Sequence, residues 1–537
     1  MKKILFPFLS LLLVSSCGIS TADDKWDIVP DAKGIQEKKE ILASIKTQKD
    51  KKKPNIILIM ADDLGKYEVS GYGATHIETP NIDAIGENGI RFKDAYVTAP
   101  ICAPSRAGIL TGKYQQRYGF ETQPMEFYPT NKLEYAAGKK AKRLGDWKVS
   151  TPPSYPNPEE IEHQGIPQDE INLAEILKAS GYSTGIIGKW HLGHGNEHLP
   201  NNRGFDYQYG FYGAFSLYTP EQKTPGYVNH IHDDLSAKHQ WGMKRNDNAT
   251  IRENNKVVQE DEYLTFAIRD KAKSYISSHK DSNFFLYLSF NAPHVPFQAP
   301  QNYYDQFSHI KDENKRVYLA MIKALDDSIG EVMNELKSQG LEENTIVYFI
   351  SDNGGASYTG ATENGPFKGG KITHFEGGVN VPFMMQWKGH LPENVVYNYP
   401  VSALDIFATT VAACEVDLTN PAVRSKKWDG VNLLPFVSGE KSNEPHEKIY
   451  WRTDHIHAIR YKKWKLIMST RDDWLHLYNL ENDLSEEIDL SDLNSEERSK
   501  LLRFFDEWNA ELPDDYLWPR IMDRKFIIGD KTYYFPA

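Results

Sequence analysis

Cysteine is scarce in this chain: three residues in 537, at positions 17, 102 and 414. So few exclude a disulfide framework, and without a His/Cys cluster there is no soft-donor metal site to compete with oxygen ligands. Long apolar runs are equally rare. The one at residues 4–14 is too short to span a bilayer as a mature helix. Excess positive charge is missing too. A net charge of −12 argues against nucleic acid or another polyanion bound over the whole surface, so an anionic ligand needs a local positive site. Internal repeats and low-complexity tracts are absent. What is present is a globular composition, 25% charged and 12% aromatic, with length enough for two or more domains of ~100–200 residues.

Lys2 and Lys3, the apolar run and Val14-Ser15-Ser16-Cys17 predict an export leader over 1–17. Its ending resembles a bacterial lipobox, which implies a lipidated Cys17 and a chain anchored to a membrane, periplasmic or at the cell surface; a plain cleaved signal is the alternative. Residues 18–53 are polar and end in Lys51-Lys52-Lys53, which reads as a tether with one short helix. Cys414 closes an apolar stretch that predicts a buried helix, so its role is packing.

From Pro54 the chain alternates short apolar runs with amphipathic stretches of helical length, the pattern of an α/β fold. Strands are predicted at 55–60, 90–97, 184–187, 284–290 and 345–350, and helices at 80–88, 171–180, 261–279 and 315–339. Residues 120–165 show no clear period and read as an inserted surface loop with a solvated basic cluster, Lys139, Lys140, Lys142 and Arg143. From about 442 the pattern changes to hairpin strands and one helix over 496–512, predicting a small C-terminal α+β unit with an antiparallel sheet over 442–537, after a main unit over 54–441.

Four of the apolar strands release chemically capable residues at their carboxyl ends: Asp62 and Asp63; Lys189 and His191; His294; Asp352 and Asn353. In open α/β sheets ligands bind at the carboxyl edge, so these groups can converge despite their separation in sequence. A fifth segment, Cys102-Ala103-Pro104-Ser105-Arg106, places a lone cysteine beside a helix predicted to begin at Pro104, with Arg106 one turn on. A helix N-terminus and a guanidinium together make an oxyanion site that contains a nucleophile. The acidic pairs offer hard oxygen ligands, which favour Ca²⁺ or Mg²⁺ over zinc; either pair taken singly reads equally well as a cap or turn. Arg106, Lys189 and Lys371 can neutralise a tetrahedral anion, and His191 and His294 can move protons. Taken singly, those lysines read as solvated and those histidines as structural.

Cys102-Ala103-Pro104-Ser105-Arg106 with Leu110-Thr111-Gly112 resembles the signature of the formylglycine-dependent type I sulfatases, of the alkaline phosphatase superfamily. The resemblance continues through Asp62-Asp63, Gly188-Lys189-Trp190-His191-Leu192-Gly193, Ala292-Pro293-His294, Ser351-Asp352-Asn353-Gly354, Lys371 ahead of Glu376-Gly377-Gly378, and Leu477-Tyr478-Asn479-Leu480, covering roughly 54–490. It implies an alkaline-phosphatase-like core with a central, mostly parallel sheet flanked by helices. It also implies sulfate ester hydrolysis by the hydrate of a formylglycine that a formylglycine-generating enzyme makes from Cys102. Asp62, Asp63, Asp352, Asn353 and the modified Cys102 would hold Ca²⁺; Arg106 would orient the hydrate; Lys189 and Lys371 would bind sulfate oxygens. His294 would protonate the leaving alcohol and His191 would assist expulsion of sulfate. Lys368 competes with Lys371 for its role, and Leu64-Gly65-Lys66-Tyr67-Glu68-Val69 departs from the family's commoner glycine- and aspartate-rich version. A sulfated polysaccharide or oligosaccharide is the expected substrate, with aromatics in 205–218 as a possible sugar platform or simply core. The competing readings are a phosphate or phosphonate ester hydrolase of the same superfamily, and a catalytically dead glycan-binding lipoprotein.

Overall fold

The computed structural model describes residues 26, 28–45, 53–125, 129, 131–142, 147–150, 154–230, 244–416, 427–514, 516–520 and 522–537. The leader with Cys17, Arg143, and the side chains of Lys139, Lys140 and Lys142 lie outside the described residues.

Ten strands form the main sheet: β1 (Asn55–Ala61), β2 (Ile90–Phe92), β3 (Ser183–Lys189), β4 (Tyr207–Phe211), β5 (Arg252–Glu253), β6 (Lys256–Val257), β7 (Phe284–Ser289), β8 (Thr345–Ser351), β9 (Phe383–Gln386) and β10 (Val395–Tyr397). Their spatial order is β10-β2-β9-β8-β1-β7-β3-β4-β5-β6. The central run β8-β1-β7-β3-β4 is parallel throughout, and antiparallel neighbours on both flanks make the sheet mixed.

The uniform apolarity of the central strands follows from burial on both faces. Along β1, Ile56, Leu58 and Met60 enter one core while Ile57, Ile59 and Ala61 enter the other. β7 and β8 alternate in the same way, with Phe285 and Ile346 on one side and Leu286 and Val347 on the other. The first core is completed by residues of α1 (Ala32–Ser44), α3 (Cys102–Thr111), α4 (Leu173–Ala179) and α7 (Asp405–Ala413). The second is completed by α2 (Pro80–Glu87), α5 (Leu264–Ser278) and the long α6 (Glu313–Ser338). Cys414 is buried in the first core, as its apolar setting predicts. Among the described residues no helix is long and apolar enough to cross a membrane.

Several local expectations change. The strand expected over 90–97 is two short strands, because after β2 the chain leaves the main sheet and Ala95–Tyr96 pairs with Val401–Ser402 instead. Residues 120–165 are not a plain loop: they hold helices Lys132–Lys142 and Pro158–Glu162, and the strand Trp147–Val149. That strand pairs with a partner near the C-terminus, a long-range contact with no local signature. Within the stretch read as a tether, α1 docks on α4, where the buried Lys38 ammonium meets Glu175 Oε1 at 2.6 Å. Phe205, Tyr209, Phe211 and Tyr218 are fully or almost fully buried core residues, which removes these four as a sugar platform.

The C-terminal region supplies a four-stranded antiparallel sheet, β11 (Lys448–Thr453), β12 (Ile456–Tyr461), β13 (Trp464–Ser469) and β14 (Trp474–Asn479), followed by α8 (Ser495–Asn509). A final hairpin, β15 (Met522–Ile528) and β16 (Lys531–Pro536), takes Trp147–Val149 as its third strand. The antiparallel sheet is fastened to the main unit by a buried ion cluster. Lys465 Nζ on β13 lies 2.7 Å from Glu376 Oε1 and 2.9 Å from Glu486 Oε1, and Glu486 Oε2 accepts from the Glu376 backbone N–H at 2.7 Å. Tyr96 and Asn380 donate to the other Glu376 oxygen.

Because one cation serves two buried carboxylates, Lys465→Met is expected to cost about 3 kcal/mol, read as a fall in Tm. Burial pushes the Glu486 carboxyl up to about 7 from an ordinary 4.5, despite Lys465 beside it. A carboxyl raised in the folded state contributes stability below its unfolded value, and that contribution is lost as pH rises to the folded value. Glu486→Gln should therefore flatten the decline in Tm between about pH 4.5 and 7; an unchanged Tm–pH profile would show that Glu486 does not set it.

Candidate active site

The carboxyl ends of β8, β1, β7 and β3 lie side by side, and the polar residues released there meet. Asp62 and Asp63 leave β1, Lys189 ends β3, His294 follows β7, and Asp352 and Asn353 leave β8. Backbone bonds tie the exits together: Asp62 N–H donates to the Ala292 carbonyl and Asp352 N–H to that of Ala61, each at 3.1 Å. Gly188 allows β3 to approach β7 here, since at φ 117° a Cβ would collide with the Ser289 carbonyl. Asp63 and His191 hold left-handed φ angles of 65° and 58°, a costly conformation for a residue with a side chain and one that the surrounding bonds must enforce.

Cys102 is the first residue of α3, so this helix begins two residues before Pro104, which sits in its first turn. Lys371 Nζ donates to Cys102 Sγ at 3.1 Å and to both Asp63 oxygens at 2.7 and 2.9 Å. Lys189 Nζ lies 2.7 Å from Asp62 Oδ2. Arg106, fully buried, donates through Nε to Asp352 Oδ2 at 2.8 Å and through Nη1 to Ser289 Oγ at 2.7 Å. Asn353 Nδ2 donates to Asp63 Oδ1 at 2.8 Å, and His294 Nε2 stands 3.6 Å from Asp63 Oδ2. Lys368 is elsewhere: its ammonium donates to the Glu486 carbonyl at 2.7 Å, so of these two lysines Lys371 is the one beside Cys102.

Three buried carboxylates thus face three buried cations, and their ionisation is mutual. Burial alone would raise Asp62 and Asp63, but Lys189 and Lys371, with His294, hold both below the ordinary carboxylate value. Burial would lower Lys371, yet Asp63 and Cys102 keep it well above the usual ammonium value. The Cys102 thiol is pushed far up, by burial first and by Asp352 next, so as a cysteine it stays protonated. His191 is driven well below the ordinary imidazole value by burial and by Lys189 and Arg106.

Several buried polar atoms have no hydrogen-bond partner: Asn353 Oδ1, Arg106 Nη2 and both ring nitrogens of His191. An orphaned acceptor suits a cation and an orphaned donor suits an anion. Ligand atoms of Asp62, Asp63, Cys102 and His294 lie within 4.8 Å of one another. With carboxylate and amide oxygens dominating and the thiol protonated, the donor set fits a hard divalent cation of the Ca²⁺ type. Sequence reasoning did not identify Ser289, which anchors Arg106, or Tyr318, whose hydroxyl donates to the Asp63 carbonyl at 3.0 Å. Ser289 was within reach of the strand-end rule, being the last residue of β7. Tyr318 is one apolar-face position of a long helix, with no local signal.

The sequence profile of the Sulfatase family matches residues 54–416. Human arylsulfatase D is 30% identical over 485 residues, covering 78% of this chain and 75% of that protein. Human N-acetylgalactosamine-6-sulfatase is 32% identical over 410 residues, covering 75% of this chain and 69% of that protein. Among solved structures, Ps i-CgsB in complex with k-i-k-neocarrahexaose superposes with a TM-score of 0.70 at 32% identity, covering 86% of this chain and 95% of that one.

The raised thiol makes a direct prediction for any molecules that retain cysteine at 102. In the folded protein they should resist iodoacetamide at mildly alkaline pH and react promptly after unfolding, as read by peptide mass spectrometry. Rapid alkylation of residue 102 in the folded state would contradict the electrostatics described above.

Proposed function

Since the chain belongs to the sulfatase family and is a sulfuric ester hydrolase, we propose that it removes sulfate from a polysaccharide or oligosaccharide, with Cys102 converted to formylglycine and Ca²⁺ held by Asp62, Asp63, Asp352, Asn353 and residue 102. The observation that carries this reading is the position of residue 102 at a helix start, 3.1 Å from Lys371 and beside the ionised Asp62 and Asp63. The saccharide assignment is supported by similarity to an N-acetylgalactosamine-6-sulfatase and to a protein solved with k-i-k-neocarrahexaose. The phosphoester and dead-lipoprotein readings have no comparable support.

Formylglycine at 102 would supply an oxygen nucleophile that the protonated thiol cannot, and a cation held by Asp62, Asp63, Asp352 and Asn353 would supply Lewis acidity. The remaining work falls to the chain's own groups. Lys189 and Lys371 bring positive charge to the oxygens of the sulfate ester, in a buried setting where each contact is strengthened. Arg106, locked between Asp352 and Ser289 one turn after residue 102, would orient the group formed there. His294 donates from Nδ1 to the Val295 carbonyl, which reserves Nε2 for proton exchange with the leaving alcohol. His191, whose two ring nitrogens have no hydrogen-bond partner, is placed to handle a proton in the step that frees sulfate. The proposal extends to an exported chain, lipid-anchored through Cys17 and matured by a formylglycine-generating enzyme.

Sulfate release from a panel of defined sulfated oligosaccharides tests this. Cys102→Ala should fall to background, and Lys371→Ala should lose about 10²–10³-fold in kcat/KM. Prolonged chelation should abolish turnover and lower Tm, with added Ca²⁺ restoring both. Full activity in Cys102→Ala, or an active preparation whose peptide carries only the thiol at 102, would refute the mechanism. Turnover of aryl sulfates with none of the saccharides would refute the substrate assignment.

A further inference from the structure

A cavity of about 840 Å³ contains none of the residues assigned above to the reaction. Its volume falls within the ~300–1,000 Å³ range of small-molecule sites, and it lies between two structural units, where such sites concentrate. One wall is the edge of the main sheet, with Arg91 on β2, Lys93 just after it, and Tyr399 beyond β10. The opposite wall is the turn from β12 to β13 with Lys462, then Trp464 on β13, and Lys500 on α8.

Its charge is opposite to that of the molecule. Seven cationic side chains line it against four carboxylates, in a chain whose net charge is −12. Among the described residues, Arg91, Lys93, Lys462 and Lys500 form no ion pair. Three of them rest instead on aromatic faces: Arg91 lies 6.0 Å from the Tyr72 ring centre, and Lys462 and Lys500 lie 5.4 and 4.6 Å from that of Tyr461. Tyr399 is 41% exposed, an open ring beside these cations. Unneutralised cations recruit an anion; an exposed ring offers an apolar plane for the C–H face of a sugar. Inorganic anions need only the first, a neutral glycan only the second, and a sulfated saccharide uses both.

The cleft also adjoins the active site. Lys66 and Phe367 line it, three residues after Asp63 and four before Lys371. At ~3.3–3.6 Å per residue, the two sites are within about 10–15 Å along either loop.

We propose that this cleft is a second binding site, for a sulfated oligosaccharide segment outside the catalytic centre, which holds a polymeric substrate while its sulfate ester is cleaved next door. The choice of sulfate over other anions rests on the sulfated-glycan reading; the cation and ring arrangement does not.

The test uses the full chain, fluorescently labelled dextran sulfate oligomers as probe, and saturating inorganic sulfate to occupy the catalytic centre. Lys93→Gln/Lys462→Gln/Lys500→Gln removes three surface charges, each worth a factor of about two, and should raise Kd roughly tenfold. Tyr399→Ala should weaken dextran sulfate several-fold while leaving polyphosphate binding unchanged, and unsulfated dextran should bind poorly to every form. Turnover of a small aryl sulfate, which does not reach the cleft, should be unaffected in both variants. An unchanged Kd for dextran sulfate in the triple variant overturns the site. Polyphosphate binding as tightly as dextran sulfate, with Tyr399→Ala without effect, overturns the saccharide assignment in favour of a general anion patch. Wild-type failure on every sulfate ester would instead count against the catalytic reading, which the binding assay does not report.

Discussion

The site depends on holding three carboxylates against three cations where water is excluded. Asp62, Asp63 and Asp352 are buried essentially completely, and each has a buried cation within salt-bridge distance: Lys189, Lys371 and Arg106. Removing any one member leaves an unpaired charge in a low-dielectric setting, which costs more than the pair contributes. The cluster is therefore a constraint on the fold as much as a product of it. A divalent cation drawn to the carboxylates would free positive charge on the lysines and the arginine for an anion, so affinity for cation and for anion should be linked through these shared partners.

The sheet satisfies this constraint through its topology. Parallel strands in the order β8-β1-β7-β3 bring four carboxyl ends to one edge, so residues from 62 to 353 become neighbours without any long loop reaching inward. This is also why the site was legible from sequence. Each central strand is buried on both faces and so reads as an unbroken apolar run, and the polar residues at or shortly after its carboxyl end mark the edge where they converge. Asp62, Lys189, His294 and Asp352 could be placed by that rule before any contact was known. The rule has no purchase on partners contributed from a helix face, as with Tyr318, or on a strand such as Trp147–Val149 whose partner lies near the other end of the chain. Local periodicity carries no information about such pairings.

The C-terminal sheet bears on the same site. Lys465 on β13 grips Glu376, and Glu486 accepts both from the Glu376 N–H and, through its carbonyl, from Lys368. Lys371 lies between Lys368 and Glu376 on this segment. The ammonium that contacts Cys102 is thus held in place by a cluster anchored in a separate sheet, and disorder there would be felt as misplacement of Lys371. Placement errors of about 1 Å at a reacting group can cost 10²-fold in rate, so under the proposed mechanism the antiparallel sheet would bear on turnover through Lys371.

The chemical state of residue 102 follows from the same charges. A thiol nucleophile requires a thiolate, which is favoured by net positive surroundings, exposure or a neighbouring base. Here Lys371 and Lys189 do favour the anion, yet burial and the Asp352 and Asp62 carboxylates outweigh them and hold the proton on sulfur. His191, although held neutral, forms no hydrogen bond to sulfur. Hard oxygen ligands likewise select a cation with little affinity for sulfur. The site is therefore poorly built for cysteine chemistry and well built for an oxygen nucleophile at the same position. The proposed modification of residue 102 would resolve that mismatch between the encoded side chain and its electrostatic surroundings.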